Sequence, residues 1–374
     1  MRARGFGGLL AIAAACASQP RPQSTTALET PGQTSTPVDP LDVPTPMDAA
    51  VKKGTLPNGL TYYVRRHGRP EQRASLWLAV DAGAVLEDDD QRGIAHFVEH
   101  MAFNGTTRFP KHGIVDFIER AGMTMGADVN ATTGLDQTVY RFTVPTDHEP
   151  TVQQGLDVLR DIAGGVSFDP SELELERPVI LEEWRLRRGA NLRLAEKRQP
   201  VLFQGSRYAE RNLIGTPEII RSVPVQTLRR FYEDWYRPDQ MALIAVGDFE
   251  PATMEREIRQ RFSDLRAPQK PRARKLFAVP RTHAPAVTVM SDPELRSSYV
   301  NVLDKVEPMP KRSRRDFRNH LVESLYLELL SGRLSDIRDD PREPFVSTTV
   351  ERLQLSRTLD AIAYSAGAKE GRIE

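Results

Sequence analysis

The sequence predicts an α+β fold: a mostly antiparallel sheet covered by helices, one full domain followed by part of a second. Three observations lead there. Short alternating apolar runs are joined by hairpin signals. Amphipathic runs of helical period lie between them. After a Pro-rich break near residue 267, strand-like and helix-like runs recur in a similar order. At 374 residues the chain is also too long for one ordinary domain.

Residues 1–16 read as an export signal. Arg2 and Arg4 precede an apolar run that is too short to span a bilayer, and small residues lead into Cys16. That arrangement resembles a bacterial lipoprotein cleavage site, which makes Cys16 a candidate for lipidation. A plain secretory signal cut near Ala17 is the alternative. The expected location is the cell envelope or periplasm, or the exterior. Cys16 is the sole cysteine, so no disulfide can form within the chain. Residues 17–50 are rich in Ser, Thr, Pro and Gln and read as a flexible tether.

The first domain is expected over 51–266. Asn58-Gly59 marks a hairpin turn. Strands follow over 61–64 and 74–85, then helices over 93–103 and 112–121. Residues 126–133 and 137–144 alternate across Gly134-Leu135-Asp136 and read as a hairpin. Helices over 152–164 and 171–188 come next, the second interrupted by Pro178, which removes one backbone bond. A helix over 225–236, a strand over 241–247 and a helix over 251–262 complete the unit. Residues 267–283 read as a linker. In 284–374, strands are expected over 286–290 and 298–303, a helix over 312–337, and a hairpin over 346–353 and 359–366. No helix follows to cover those last strands, so the second domain is expected to be partial.

Fifty-one basic residues balance fifty-one acidic ones. A neutral chain gives no reason to expect nucleic acid or an anionic membrane surface as its main partner. No stretch reaches the ~20 apolar residues a spanning helix needs, so membrane contact is expected only through an N-terminal lipid.

Residues 93–106, GIAHFVEHMAFNGT, carry the chemistry. On a helix, His96 and His100 are four apart and share a face. Two imidazoles so placed can share one Zn²⁺, and Glu99 projects beside them as a base for water. A catalytic zinc needs a third protein ligand and an open position. The helix over 171–188 offers Glu172, Glu174, Glu176, Glu182 and Glu183, and spacing alone does not choose among them. A solvated helix bearing two histidines is the plainer alternative. The apolar flanks Ile94, Phe97, Val98, Met101 and Phe103 speak against it, because burying an unpartnered pair is costly.

GIAHFVEHMAFNGT, then GADVNATTGLDQTVY, then ERPVILEEWRLRRG, together resemble the zinc peptidases of the pitrilysin and insulysin family, the inverzincins. The resemblance runs from about Lys52 to the end and is strongest to large bacterial zinc proteases. It implies one complete pitrilysin-type domain and a partial second. It implies one Zn²⁺ per chain, with His96, His100 and Glu183 as ligands and Glu176 orienting a ligand from behind. Glu99 would take the proton of the attacking water, and the products would be those of endopeptidase cleavage of short or unfolded polypeptides. Asn130, Ala131 and Thr132 match the family's sheet edge, where substrate adds as a strand. Thr132 stands where the family often has an aromatic residue. Family members close two halves around substrate, and the far half contributes an Arg/Tyr pair. This sequence contains no far half, so a second-half chain is an expected partner. A zinc-binding but catalytically weak fragment or subunit is the alternative function, and a structural scaffold a third.

Overall fold

The computed structural model describes residues 39–281, 284–340 and 342–369. Cys16, the export signal and most of the tether lie outside these residues. The first domain is built on a six-stranded sheet. Its strands are β1 (Val51–Thr55), β2 (Thr61–Arg66), β3 (Arg73–Val80), β4 (Val129–Thr133), β5 (Thr138–Pro145) and β6 (Met241–Gly247). The spatial order is β1-β2-β6-β3-β5-β4. All neighbours are antiparallel except β2 and β6, which are parallel. β3 places Ala74, Leu76, Leu78 and Val80 in the core while the residues between them face outward. β6 buries Met241, Leu243 and Ala245 with the same period of two.

The helices are α1 (Ile94–Met101), α2 (Gly113–Arg120), α3 (Glu149–Gly164), α4 (Pro170–Arg187), α5 (Ala190–Leu202), α6 (Pro217–Ser222), α7 (Val225–Trp235) and α8 (Pro251–Phe262). α3 packs on β3 and β5, and α8 on β2. α1 lies against β4, α4 and α7, which places it between the sheet's β4 end and the later helices. α1 begins at Gly93, whose φ of 92° is left-handed. A Cβ there would sit 2.5 Å from Gly215 Cα, so only glycine allows this approach.

The second domain holds a three-stranded antiparallel sheet, β7 (Ser298–Val306), β8 (Phe345–Ser356) and β9 (Leu359–Ala368), in the order β7-β9-β8. α9 (Arg314–Arg338) packs against β8. Its outer face exposes Phe317, Leu325, Tyr326 and Leu329. The β8–β9 turn inserts into the first domain. The Arg357 amide donates to Asp136 Oδ2 at 2.9 Å, its guanidinium pairs with Asp81, and Leu359 is buried in the main core.

Several segments differ from the sequence expectation. Residues 286–290 form no strand, because Val287 and Val289 stand in solvent and, among the described residues, no partner strand satisfies their backbones. The strand expected to run to Val85 stops at Val80, and Ala84–Leu86 is a 3₁₀ turn. α5 and α6 were not expected; α5 buries no side chain and so carries no apolar period. Arg193 of α5 is nonetheless tied to Asp292 at 2.7 Å. Residues 41–45, within the segment read as a tether, run beside the start of α9, with Thr45 N donating to Arg312 O at 2.9 Å. Residues 267–281 form no helix or strand, yet Arg272 grips Asp88 and Asp234 and Val279 is buried.

Candidate metal centre

α1 is apolar on most of its circumference, and Ile94, Ala95, Phe97, Val98 and Met101 are buried. Its first turn is anchored from the preceding loop. Glu87, which is 0% exposed, accepts the amides of Gly93 at 3.0 Å and Ala95 at 2.8 Å. These are the free N–H groups of a helix start, and the two side-chain oxygens of Glu87 satisfy them. Burial pushes the Glu87 carboxyl up to about 8, against the pull of those two amides and of Arg211 and Arg207. Fully buried Arg211 donates to the Glu87 carbonyl at 3.0 Å and to Asp89 at 2.9 Å, fixing the loop itself.

α4 starts at Asp169, which accepts the Ser171 amide, with Pro170 in the first turn. Arg177 reaches into the core and donates to the carbonyls of Ile220 at 2.5 Å and Val223 at 2.7 Å. That clamp sets the helix rotation. Glu174 turns to Arg177 and Glu182 to Arg185, while Glu172 is buried. Glu176 and Glu183 are left facing the histidines, so the structure separates the five carboxylates that spacing left open.

One Glu183 oxygen lies 3.6 Å from His96 Nε2 and the other 3.2 Å from His100 Nε2. The ligand-type atoms of His96, His100 and Glu183 all lie within 4.8 Å of one another. Arg187, one turn on, holds Glu183 Oε1 at 2.6 Å. Behind His100, Nδ1 donates to Glu176 Oε1 at 2.7 Å, and Asn104 Nδ2 donates to Glu176 Oε2 at 2.5 Å. Glu99 is buried, and the Thr133 hydroxyl donates to its Oε2 at 2.6 Å.

The electrostatics follow from this packing. Burial pulls the His100 imidazole down, but its bonds to Glu176 and Glu183 outweigh that and push it up to about 9. Its bonds to His100 and His96 hold the Glu183 carboxyl well below the usual carboxylate range, against the opposing effect of burial. Three carboxylates, Glu99, Glu176 and Glu183, thus meet two imidazoles in a half-buried cleft. A divalent cation neutralises that excess, and a donor set of two imidazoles and a carboxylate suits zinc. The residues therefore fit the metal.

Asn130, Ala131 and Thr132 lie on β4, the edge strand of the large sheet. Arg141 donates to the Thr132 hydroxyl at 3.1 Å. Thr133 ends the same strand, so the sheet edge and Glu99 are in direct contact. Asn104, Thr133, Arg177 and Glu87 were assigned no role from the sequence. Asn104, Thr133 and Arg177 act through contacts 34 to 72 residues away, which no local pattern reports, while Glu87 acts locally on the amides six and eight residues later.

Residues 62–216 match the family model for insulinase, peptidase family M16, and residues 222–369 match that for the peptidase M16 inactive domain. The chain belongs to peptidase family M16. Among M16 relatives, it is 39% identical over 300 residues to the zinc protease PQQL-like of Arabidopsis thaliana, covering 79% of this chain and 31% of that protein. It is 30% identical over 319 residues to the probable zinc protease PqqL of Haemophilus influenzae, covering 85% of this chain and 34% of that one. The chain therefore spans about a third of the length of these curated relatives. The first half of the periplasmic protease PqqL from Escherichia coli superimposes with a TM-score of 0.81 at 28% identity, covering 87% of this chain and 70% of that one. The M16 resemblance seen in the three motifs stands, as does the α+β fold.

Proposed function

We propose that this chain carries the zinc centre of a metalloendopeptidase acting on short or unfolded polypeptides. The convergence of His96, His100 and Glu183 on one point is the observation that carries the reading. Those three residues would hold one Zn²⁺, and Glu176 would orient His100 from behind. Zinc bound there supplies Lewis-acid polarisation of a carbonyl and brings the pKa of a water towards ~7. The remaining steps belong to the chain. Glu99, oriented by Thr133 through Oε2, takes a proton from the attacking water on Oε1 and returns it to the leaving amine. Asn130, Ala131 and Thr132 pair with the substrate backbone as an added strand, which holds an extended peptide beside Glu99.

The test is cleavage of a quenched, unstructured peptide by the chain, with zinc per chain measured in the same sample. The reading expects one zinc and chelator-sensitive cleavage. A chain that binds zinc and peptide but leaves the bond intact would instead support the second reading, a centre that needs a second-half chain. A chain that takes up no zinc would defeat both.

We also propose export to the cell envelope with lipidation at Cys16. The leader-like N-terminus and the periplasmic PqqL relative support it. Palmitate labelling of the precursor is expected to vanish in Cys16→Ala; equal labelling of both would refute the anchor.

A further inference from the structure

We propose that Asn104 is a positioning residue of the metal centre, acting through Glu176 on His100. The inference rests on the metal-centre reading above. Asn104 lies just past the end of α1, where its own amide donates to Met101 O at 3.1 Å. Its side chain crosses to α4 and meets Glu176 Oε2 at 2.5 Å. The other oxygen of Glu176 accepts from His100 Nδ1 at 2.7 Å. The two contacts form a continuous line from Asn104 through Glu176 to His100, and they tie the helix that carries His100 to the helix that carries Glu183.

The chemistry of the groups sets the direction. An amide NH₂ only donates and a carboxylate only accepts, so Asn104 presents its nitrogen and occupies Oε2. Oε1 is then left for the proton on His100 Nδ1. With Nδ1 so engaged, Nε2 faces Glu183 at 3.2 Å. A glutamate anchored at one oxygen can turn about its last bond, whereas one anchored at both cannot. Asn104 thus removes the freedom that would let Glu176 leave the imidazole or pull it out of line. A partner in direct contact with a metal ligand, as Glu176 is with His100, typically contributes roughly 10–100-fold in metal affinity, which bounds what Asn104 contributes through it.

The experiment is zinc affinity, measured by competition with a chromophoric zinc chelator, on the full chain, three single variants and the two double variants that combine each Asn104 substitution with Glu176→Gln. Asn104→Leu removes the donor at similar volume, Asn104→Ser is too short to reach, and Glu176→Gln alters the acceptor. Thermal melting of each metal-free variant checks folding. Asn104→Leu and Asn104→Ser are each expected to weaken zinc binding measurably, by up to roughly 10–100-fold and by no more than Glu176→Gln does. In the Glu176→Gln background the same substitutions are expected to cost less than about twofold, because the residue they act through has already lost its function. Folded Asn104 variants that bind zinc as tightly as the parent would overturn the inference. So would an equal loss in both backgrounds, which would show that Asn104 acts by another route. A parent chain that binds no zinc would instead overturn the metal-centre reading itself.

Discussion

Replacing Glu183 by alanine is expected to weaken zinc binding by roughly 10²–10³-fold. A four-ligand zinc site is worth about 10–16 kcal/mol, so one ligand corresponds to about 3–4 kcal/mol. Among the described residues, Glu183 is the sole carboxylate that meets Nε2 of both His96 and His100, and its neighbours on α4 are turned elsewhere. Glu182 supplies the control. It is one residue away, but it is exposed and paired with Arg185 at 2.6 Å. Glu182→Ala is expected to leave zinc affinity unchanged within about twofold, as for exposed pairs generally. Equilibrium competition with a zinc chelator reads both. If Glu183→Ala bound zinc as tightly as the parent, Glu183 could not be a ligand.

The second large effect is expected on chemistry alone. Glu99→Gln keeps the shape of the side chain and an oxygen to accept from Thr133, but it cannot take up a proton. General base catalysis is worth roughly 10²–10⁴-fold, so kcat/KM on an unstructured peptide should fall by about that factor. Zinc should remain at one per chain, because Glu99 is not among the residues that converge on the metal point. Cleavage by Glu99→Gln at the parental rate would mean that another group handles the proton. Loss of zinc along with activity would place Glu99 in the ligand set instead.

The sequence disclosed local features well and tertiary ones poorly. β5 alternates with a period of two, β3 and β6 carry continuous apolar runs of strand length, and the two histidines of α1 share a helical face, so all were legible. α5 was not, because a helix that buries no side chain leaves no apolar period. The alternation at 286–290 misled, because pairing requires a neighbouring strand and none lies there among the described residues. At the site, Glu183 emerged only through resemblance to a family. α4 carries carboxylates on several faces, and its rotation is set by Arg177 binding carbonyls of α6 and the residue after it. The approach of Thr133 to Glu99 spans 34 residues and that of Asn104 to Glu176 spans 72, distances at which spacing carries no signal. The strapping of 267–281 by Arg272 was hidden in the same way: its partner Asp88 lies 184 residues earlier.

His96, His100 and Glu183 are proposed to hold one zinc ion. Anomalous diffraction at the zinc edge, from crystals of the zinc-loaded chain, tests it most directly. One strong peak per chain is expected, at about 2.0–2.2 Å from an imidazole nitrogen of His96, one of His100 and a Glu183 oxygen. A peak elsewhere, or none at all in crystals grown with saturating zinc, would contradict it.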